Sequence, residues 1–249
     1  MAEAAPPDRR DADADARRRK QRVLAQLVVH DLRSPLSATT GYVELLRGEL
    51  GDAMPDGLPP RVAAYLDDMQ VLIDKALGLV ATILDIDELE DGVLKARPQP
   101  VVLASTLGAA RASSRPSFEQ RDVRFVEQVP ADLVLHLDRE LVGRVLENLI
   151  DNAGRYAPRG GQVVVGARRH GDGVEIFVGN DGPPVPARER ETIFGRFYQV
   201  EARRASARAN RGLGLYFCRL AAEAHGGTMT AEEWSELSCV FVLRIPQPA

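Results

Sequence analysis

Lysine is almost missing from this chain. Of 32 basic residues in 249, only Lys20, Lys75 and Lys95 are lysines. The arginine bias reads as codon composition rather than as a site. Cysteine is scarce as well. Cys218 and Cys239 are the two present, and they lack metal-ligand spacing. That argues against a disulfide framework and a cysteine metal centre, and it fits a reducing compartment. No run approaches about 18 consecutive apolar residues, so no membrane span is expected. The first 20 residues lack the apolar core of a secretory signal. Their charge density predicts disorder over 1–16. Net charge is -4, with a pI near 5.7, which gives no reason to propose nucleic acid or an anionic membrane as partner. These absences together predict a cytoplasmic protein without repeats.

What is present falls into two textures. Ala25, Val29, Leu32, Leu36, Thr39, Val43, Leu46 and Leu50 step by four and three along one predicted helix over 17–50. The Gly- and Pro-rich segment GDAMPDGLPP connects it to a second helix over 61–90. There Val62, Leu66, Met69, Ile73, Ala76, Val80, Ile83 and Asp87 continue the pattern, and Asp91-Gly92 offers a stop. Two helices with one narrow stripe each cannot close a core alone. Two copies can, as a four-helix bundle, so the pattern itself predicts a homodimer. The tract ARPQPVV marks a boundary, giving a helical unit over 17–97 and a second domain over 98–249. That domain has a predicted helix over 103–115 and β-like runs VRFVEQV, LVLHL, QVVVGAR and VEIFVGN. Helices over 138–155 and 212–225 interleave with them, and CVFVLRI closes the chain. The fold class is α+β, with helices on one face of a sheet.

Three segments of the second domain suggest chemistry. RVLENLIDNAGRYAP puts Asn148 and Asn152 on one helical face, with Arg155 just beyond. Two amides and a guanidinium suit a hydrated hard cation bridging phosphates. VGNDGPPVP runs from a strand end into a turn. NRGLGLYF is a glycine-rich helix entry whose backbone N–H groups can cradle phosphate. Each alone also reads as an ordinary feature: a solvated polar face, a turn, a tight turn. Their order and spacing carry the weight.

With the histidine segment of the first helix included, the chain resembles the catalytic core of a bacterial two-component sensor histidine kinase. HDLRSPL resembles the family's H box, ENLIDNAGRYAP its N box, NDGPPVP its first glycine box, IFGRFYQVE its F box, and RGLGLYFCRLAAEAHGG its second glycine box. The resemblance implies a dimerisation and phosphotransfer bundle of the HisKA type, followed by an α/β sandwich ATP-binding domain of the GHKL (Bergerat) type. It implies in-line attack of His30 on the γ-phosphate of ATP, with Asp31 orienting the imidazole. Position by position, it makes Asn152 the Mg²⁺ ligand with Asn148 nearby, sets Arg155 toward phosphate, and lays Tyr156 against the nucleotide. Asn180 would receive the adenine amino group and Gly182 would let the backbone approach the ring. Gly212, Leu213 and Gly214 would form the phosphate end of a lid over about 198–211, rich in arginine (Arg203, Arg204, Arg208 and Arg211). The implied partners are a second copy of the chain, the receiver domain of a response regulator, and an upstream sensor protein.

Several positions depart from the family. Asn180 stands where an aspartate is usual, which predicts weaker ATP binding, since the charge-assisted bond is lost. Pro184 replaces a glycine and stiffens its turn. Asn210 replaces another glycine. Ser34 replaces the threonine or asparagine that orients water for dephosphorylating the partner; its hydroxyl keeps a phosphatase role open. His136, His170 and His225 lack partners at ligand spacing and read as structural. The competing reading is a catalytically degenerate core, kept as a docking module or phosphotransfer intermediary with weak nucleotide binding.

Overall fold

The structure is a computed structural model that describes residues 32, 34–54, 57–198 and 212–248. The chain divides into two compact units, Met1–Asp87 and Glu88–Ala249.

In the first unit a helix over 34–53, α1, is followed by α2, Pro60–Glu90. Proline suits the first position of α2 because that N–H has no intrahelical acceptor. The heptad splits in two. Val43, Leu66 and Ile73 are buried in one cluster, with Leu36, Leu50, Val62 and Leu77 packed on it. Leu36, Val43 and Leu50 are seven apart and form the seam of the hairpin. Leu32, Leu46 and Met69, from the same stripe, stay exposed together with Tyr42, Leu45, Tyr65 and Leu72. Among the described residues one copy therefore leaves only part of its apolar stripe, mostly on α1, facing outward.

The second unit runs β1 (Gln99–Val102), α3 (Leu103–Arg121), β2 (Arg124–Gln128), β3 (Val134–Leu137), α4 (Arg139–Tyr156), β4 (Gln162–His170), β5 (Gly173–Asn180), α5 (Gly214–Ala224), β6 (Thr228–Glu232) and β7 (Cys239–Pro246). Two short 3₁₀ turns, Ala187–Glu189 and Thr192–Phe194, lie between β5 and α5. The main sheet has the order β2-β4-β5-β7-β6, and β1 pairs with β3 separately. β2 and β4 are parallel; the other ladders of this sheet are antiparallel. This is the α+β arrangement the sequence predicts. Two strands escape the sequence reading. β1 lies inside the proline-bearing tract taken as a boundary, and β6 is short and half polar. The helix expected over 103–115 runs on through Pro116 to Arg121. Phe118 explains the extension. It is buried against Gly154 of α4 so closely that a Cβ there would clash with its ring. Packing outweighs the bond that proline removes.

Alternation along the strands gives the sheet two different faces. Val174, Ile176, Val178 and Asn180 of β5 share one face, with Phe241, Leu243 and Ile245 opposite them on β7. α4 and α5 pack on the sheet. α4 buries Leu141, Val142, Val145, Leu146, Leu149, Ile150 and Ala153, at about 1.5–3 kcal/mol for each large side chain. On the other face Val164, Phe177, Val240 and Val242 form a smaller cluster roofed by Trp234 and Leu237. Phe177 and Trp234 have ring centroids 4.8 Å apart.

Candidate functional site

Helix α4 is fixed at both ends, which sets the side chains along its open face. At its start the Asp138 carboxylate accepts from the backbone N–H groups of Glu140 and Leu141 at 3.0 and 3.1 Å. The Asp138 N–H in turn donates to His225 Nε2 at 3.0 Å. His225 Nδ1 lies 2.7 Å from the Ala221 carbonyl, so the neutral tautomer with its proton on Nδ1 satisfies both contacts. His225 is thus a structural tie between α4 and α5. At the far end Arg121 donates from Nη1 to the carbonyls of Gly154 and Arg155 at 2.6 and 2.5 Å, and from Nη2 to Ala157 at 2.9 Å. A guanidinium on the last carbonyls of a helix satisfies orphan acceptors and opposes the negative end of the dipole. Sequence reasoning missed Arg121, and nothing in the local pattern announces a contact made across 33 residues or more.

Between these ends lie the predicted residues. Asn148 Nδ2 donates to the Arg144 carbonyl at 2.9 Å, and Oδ1 faces the start of α5. A Cβ on Gly214 would fall 2.5 Å from that oxygen. The start of α5 can therefore approach α4 only because residue 214 has no side chain. Asn152 follows one turn later, half-buried. Arg155 is not free: its Nη2 lies 2.6 Å from the Asp151 carboxylate. Burial shifts the neighbouring charges, raising the Glu147 carboxyl and lowering Arg144.

Asn180 is the last residue of β5, on the helix-bearing face. It is 1% exposed, and neither Oδ1 nor Nδ2 has a hydrogen-bond partner. Gly182 packs against it and against Tyr156. A Cβ at 182 would fall 2.5 Å from Asn180 Nδ2 and would clash with the Tyr156 carbonyl oxygen. Asp181, the carboxylate next door, is already engaged: its Oδ1 and Oδ2 accept from the Gln162 N–H at 3.1 and 3.2 Å. Gly212 has φ +71°, a left-handed conformation, and its carbonyl accepts from the Phe197 N–H at 3.1 Å. Leu213 is buried beside it. The structure thus brings Asn148 to Gly214, and Tyr156 and Asn180 to Gly182.

Other predicted positions fall elsewhere. His30 and Asp31 lie outside the described residues, as do Arg203, Arg204, Arg208, Asn210 and Arg211. Ser34 is exposed on α1 in the first unit. Among the described residues no cluster of His, Cys, Asp or Glu could hold a metal. Any cation on α4 would take its protein ligands from the Asn148 and Asn152 amide oxygens and the rest from water and phosphate, a donor set that suits magnesium. Cys218 is fully buried and its thiol is pushed up, hence unreactive. One further cluster escaped the sequence reading. The Tyr216 hydroxyl donates to the Glu90 carboxylate, and Arg196 Nη1 lies 3.3 Å from the same group. Burial first, and Glu90 second, raise the Tyr216 phenol.

An orphaned amide, one asparagine oxygen facing a helix entry and two glycine-permitted approaches thus lie along α4 and the end of β5. The family model described as "His Kinase A (phospho-acceptor) domain" matches residues 20–92. That described as "Histidine kinase-, DNA gyrase B-, and HSP90-like ATPase" matches residues 137–249. The chain is 29% identical to the sensor protein KdpD of Escherichia coli (strain K12) over 94% of its own length and 25% of that protein's. It is 25% identical to the sensor protein SrrB of Staphylococcus aureus (strain N315) over 89% of its length and 37% of the relative. It therefore spans well under half of these relatives. Among solved structures, the catalytic domain of the histidine kinase ThkA covers 61% of the chain at 25% identity, with a TM-score of 0.54. Full-length ShkA covers 91% at 22% identity and a TM-score of 0.68, a likeness of fold. Among the described residues no helix is long and apolar enough to cross a membrane.

Proposed function

The chain belongs to the two-component sensor histidine kinases as their catalytic core, and from that premise we propose that it is an ATP-dependent autokinase acting on its own His30. The phosphoryl group then passes to an aspartate on a response-regulator receiver domain. In the first step the imidazole nitrogen bonds to the γ-phosphorus, the bond to the β–γ bridging oxygen breaks, and ADP leaves. Asp31 orients the imidazole by accepting a hydrogen bond from its other ring nitrogen, which balances the positive charge that develops on the ring as it attacks. Phosphoryl transfer asks the protein mainly for positioning and charge neutralisation. Asn148, Asn152 and Gly214 serve the phosphate side, Asn180, Gly182 and Tyr156 the base side. Magnesium would supply charge neutralisation at the phosphates, held by Asn152 with Asn148 beside it.

The observation that carries this reading is Asn180: a fully buried amide with both polar atoms unpaired, on the sheet face that bears α4. A buried polar group without a partner is costly, and a bound base would supply one. The exposed part of the stem stripe supports a homodimer built on residues 17–97, with 98–249 as the ATP-binding domain and 1–16 as a charged N-terminal segment. Ser34 retains a hydroxyl for a dephosphorylating role, and an upstream sensor protein would provide the input.

Incubation with γ-labelled ATP and magnesium tests the proposal. Acid-labile, alkali-stable label on the wild type, absent from His30→Ala and Asn152→Ala, is the expected result. A wild type that binds no nucleotide and takes no label would instead identify a docking module.

A further inference from the structure

We infer that the base subsite reads purines by an amide that can turn over, and therefore accepts 6-oxopurine nucleotides as well as ATP. The inference rests on the nucleotide-binding reading above and extends it to the class of base. A side-chain amide offers one acceptor, Oδ1, and two donors on Nδ2. In Asn180 both atoms are buried and unpaired. Full satisfaction requires a ligand edge that presents a donor and an acceptor side by side. The 6-aminopurine edge does so with its N6–H and N1. The 6-oxopurine edge does so with N1–H and O6, in the opposite sense. Rotation of the amide by about 180° about its last torsion exchanges Oδ1 and Nδ2. The same residue then matches either edge.

An ionised carboxylate at this position would behave differently. It only accepts, so it would pair with the amino group of ATP and face the lone pairs of O6 in the oxo base. Selectivity is a difference of affinities, and that repulsive contact would supply most of it. The neighbouring Asp181 is a separate carboxylate, held against the Gln162 N–H at the start of β4. The close packing of Gly182 on Asn180 Nδ2 adds no carboxylate and leaves the amide as the group that reads the base.

The test is calorimetric titration of the full chain with ATP and with ITP, each with magnesium, for the wild type and Asn180→Asp. ITP differs from ATP only at the 6-position and N1, so it isolates the contact. The expected wild-type ratio of dissociation constants, ITP over ATP, is below about tenfold, and Asn180→Asp should raise it at least about tenfold, the worth of one buried hydrogen bond. A wild-type ratio of tenfold or more overturns the inference, as does a smaller change in the variant. Failure of the variant to fold leaves the wild-type ratio to decide. A wild type that binds neither nucleotide fails the underlying functional reading; one that binds ATP and rejects ITP fails this inference alone.

Discussion

Strand β5 buries two polar side chains five residues apart and treats them in opposite ways. Glu175 and Asn180 are each 1% exposed. Glu175 points to the outer face, where Arg168 Nε donates to it at 2.6 Å and Arg244 Nε at 2.8 Å. Arg244 continues to Glu232 at 2.7 Å and Thr230 at 3.0 Å, and the Arg168 guanidinium stacks on Trp234 at 4.7 Å. Asn180 points to the helix-bearing face and has none of this. A buried charge is tolerated only when paired, so the outer network completes itself within the chain. An unpaired amide costs about 1–3 kcal/mol per group, and the fold retains it at the glycine-permitted end of α4. The first pattern is that of structure; the second is the one the proposed base contact requires.

Substitution can break this contrast. Asn180→Leu removes the orphaned amide at similar volume. Nucleotide affinity should fall at least about 100-fold, or about 2.8 kcal/mol, while the ligand-free melting temperature holds or rises. A variant that melts lower and binds ATP as before would make Asn180 structural. Glu175→Gln should do the reverse, with affinity unchanged and stability down by about 1.5–3 kcal/mol, the worth of bonds to a charged group. Its pH dependence sharpens the point. Burial alone would raise the Glu175 carboxyl, but Arg168 and Arg244 outweigh it and hold the carboxyl below its usual range. A depressed carboxyl stabilises fully above its unfolded value, near 4.3, and less as pH falls through the folded value. The gap in unfolding free energy between wild type and Glu175→Gln should therefore be level from about pH 5 to 8 and close below about pH 4. A gap that widens in acid would refute the assignment.

The sequence showed the stem, the glycine-rich helix entry and the asparagine pair because each is local: a heptad, a GxG before a helix, two residues four apart. It showed Asn180 as an odd residue in a motif. It could not show that the amide is orphaned, because that depends on what Gly182, Tyr156 and Asp181 do once folded. β1 and β6 were hidden because one carries proline and the other is half polar. Arg121 and the Glu90, Arg196 and Tyr216 cluster were hidden because their partners are far away in the chain. The seven-residue steps predicted one stripe, but only packing reveals that Val43 faces the hairpin seam while Leu46 faces out.

Arg121 tests whether the two patterns are separable, and its expected effect is the smallest. It is fully paired, like Glu175, yet it holds the end of α4 from which Asn152, Arg155 and Tyr156 project. Arg121→Lys keeps the charge at the helix terminus but loses the fork that reaches three carbonyls at once. Stability should fall by about 1 kcal/mol, which lowers the melting temperature by about 2–4 °C for a chain of this size. If the clamp also positions the site, KM for ATP should rise about threefold with kcat little changed, and Arg121→Met should extend both effects. A melting shift with KM unmoved would place Arg121 wholly beside Glu175, as a residue that holds the fold and leaves the ligand untouched.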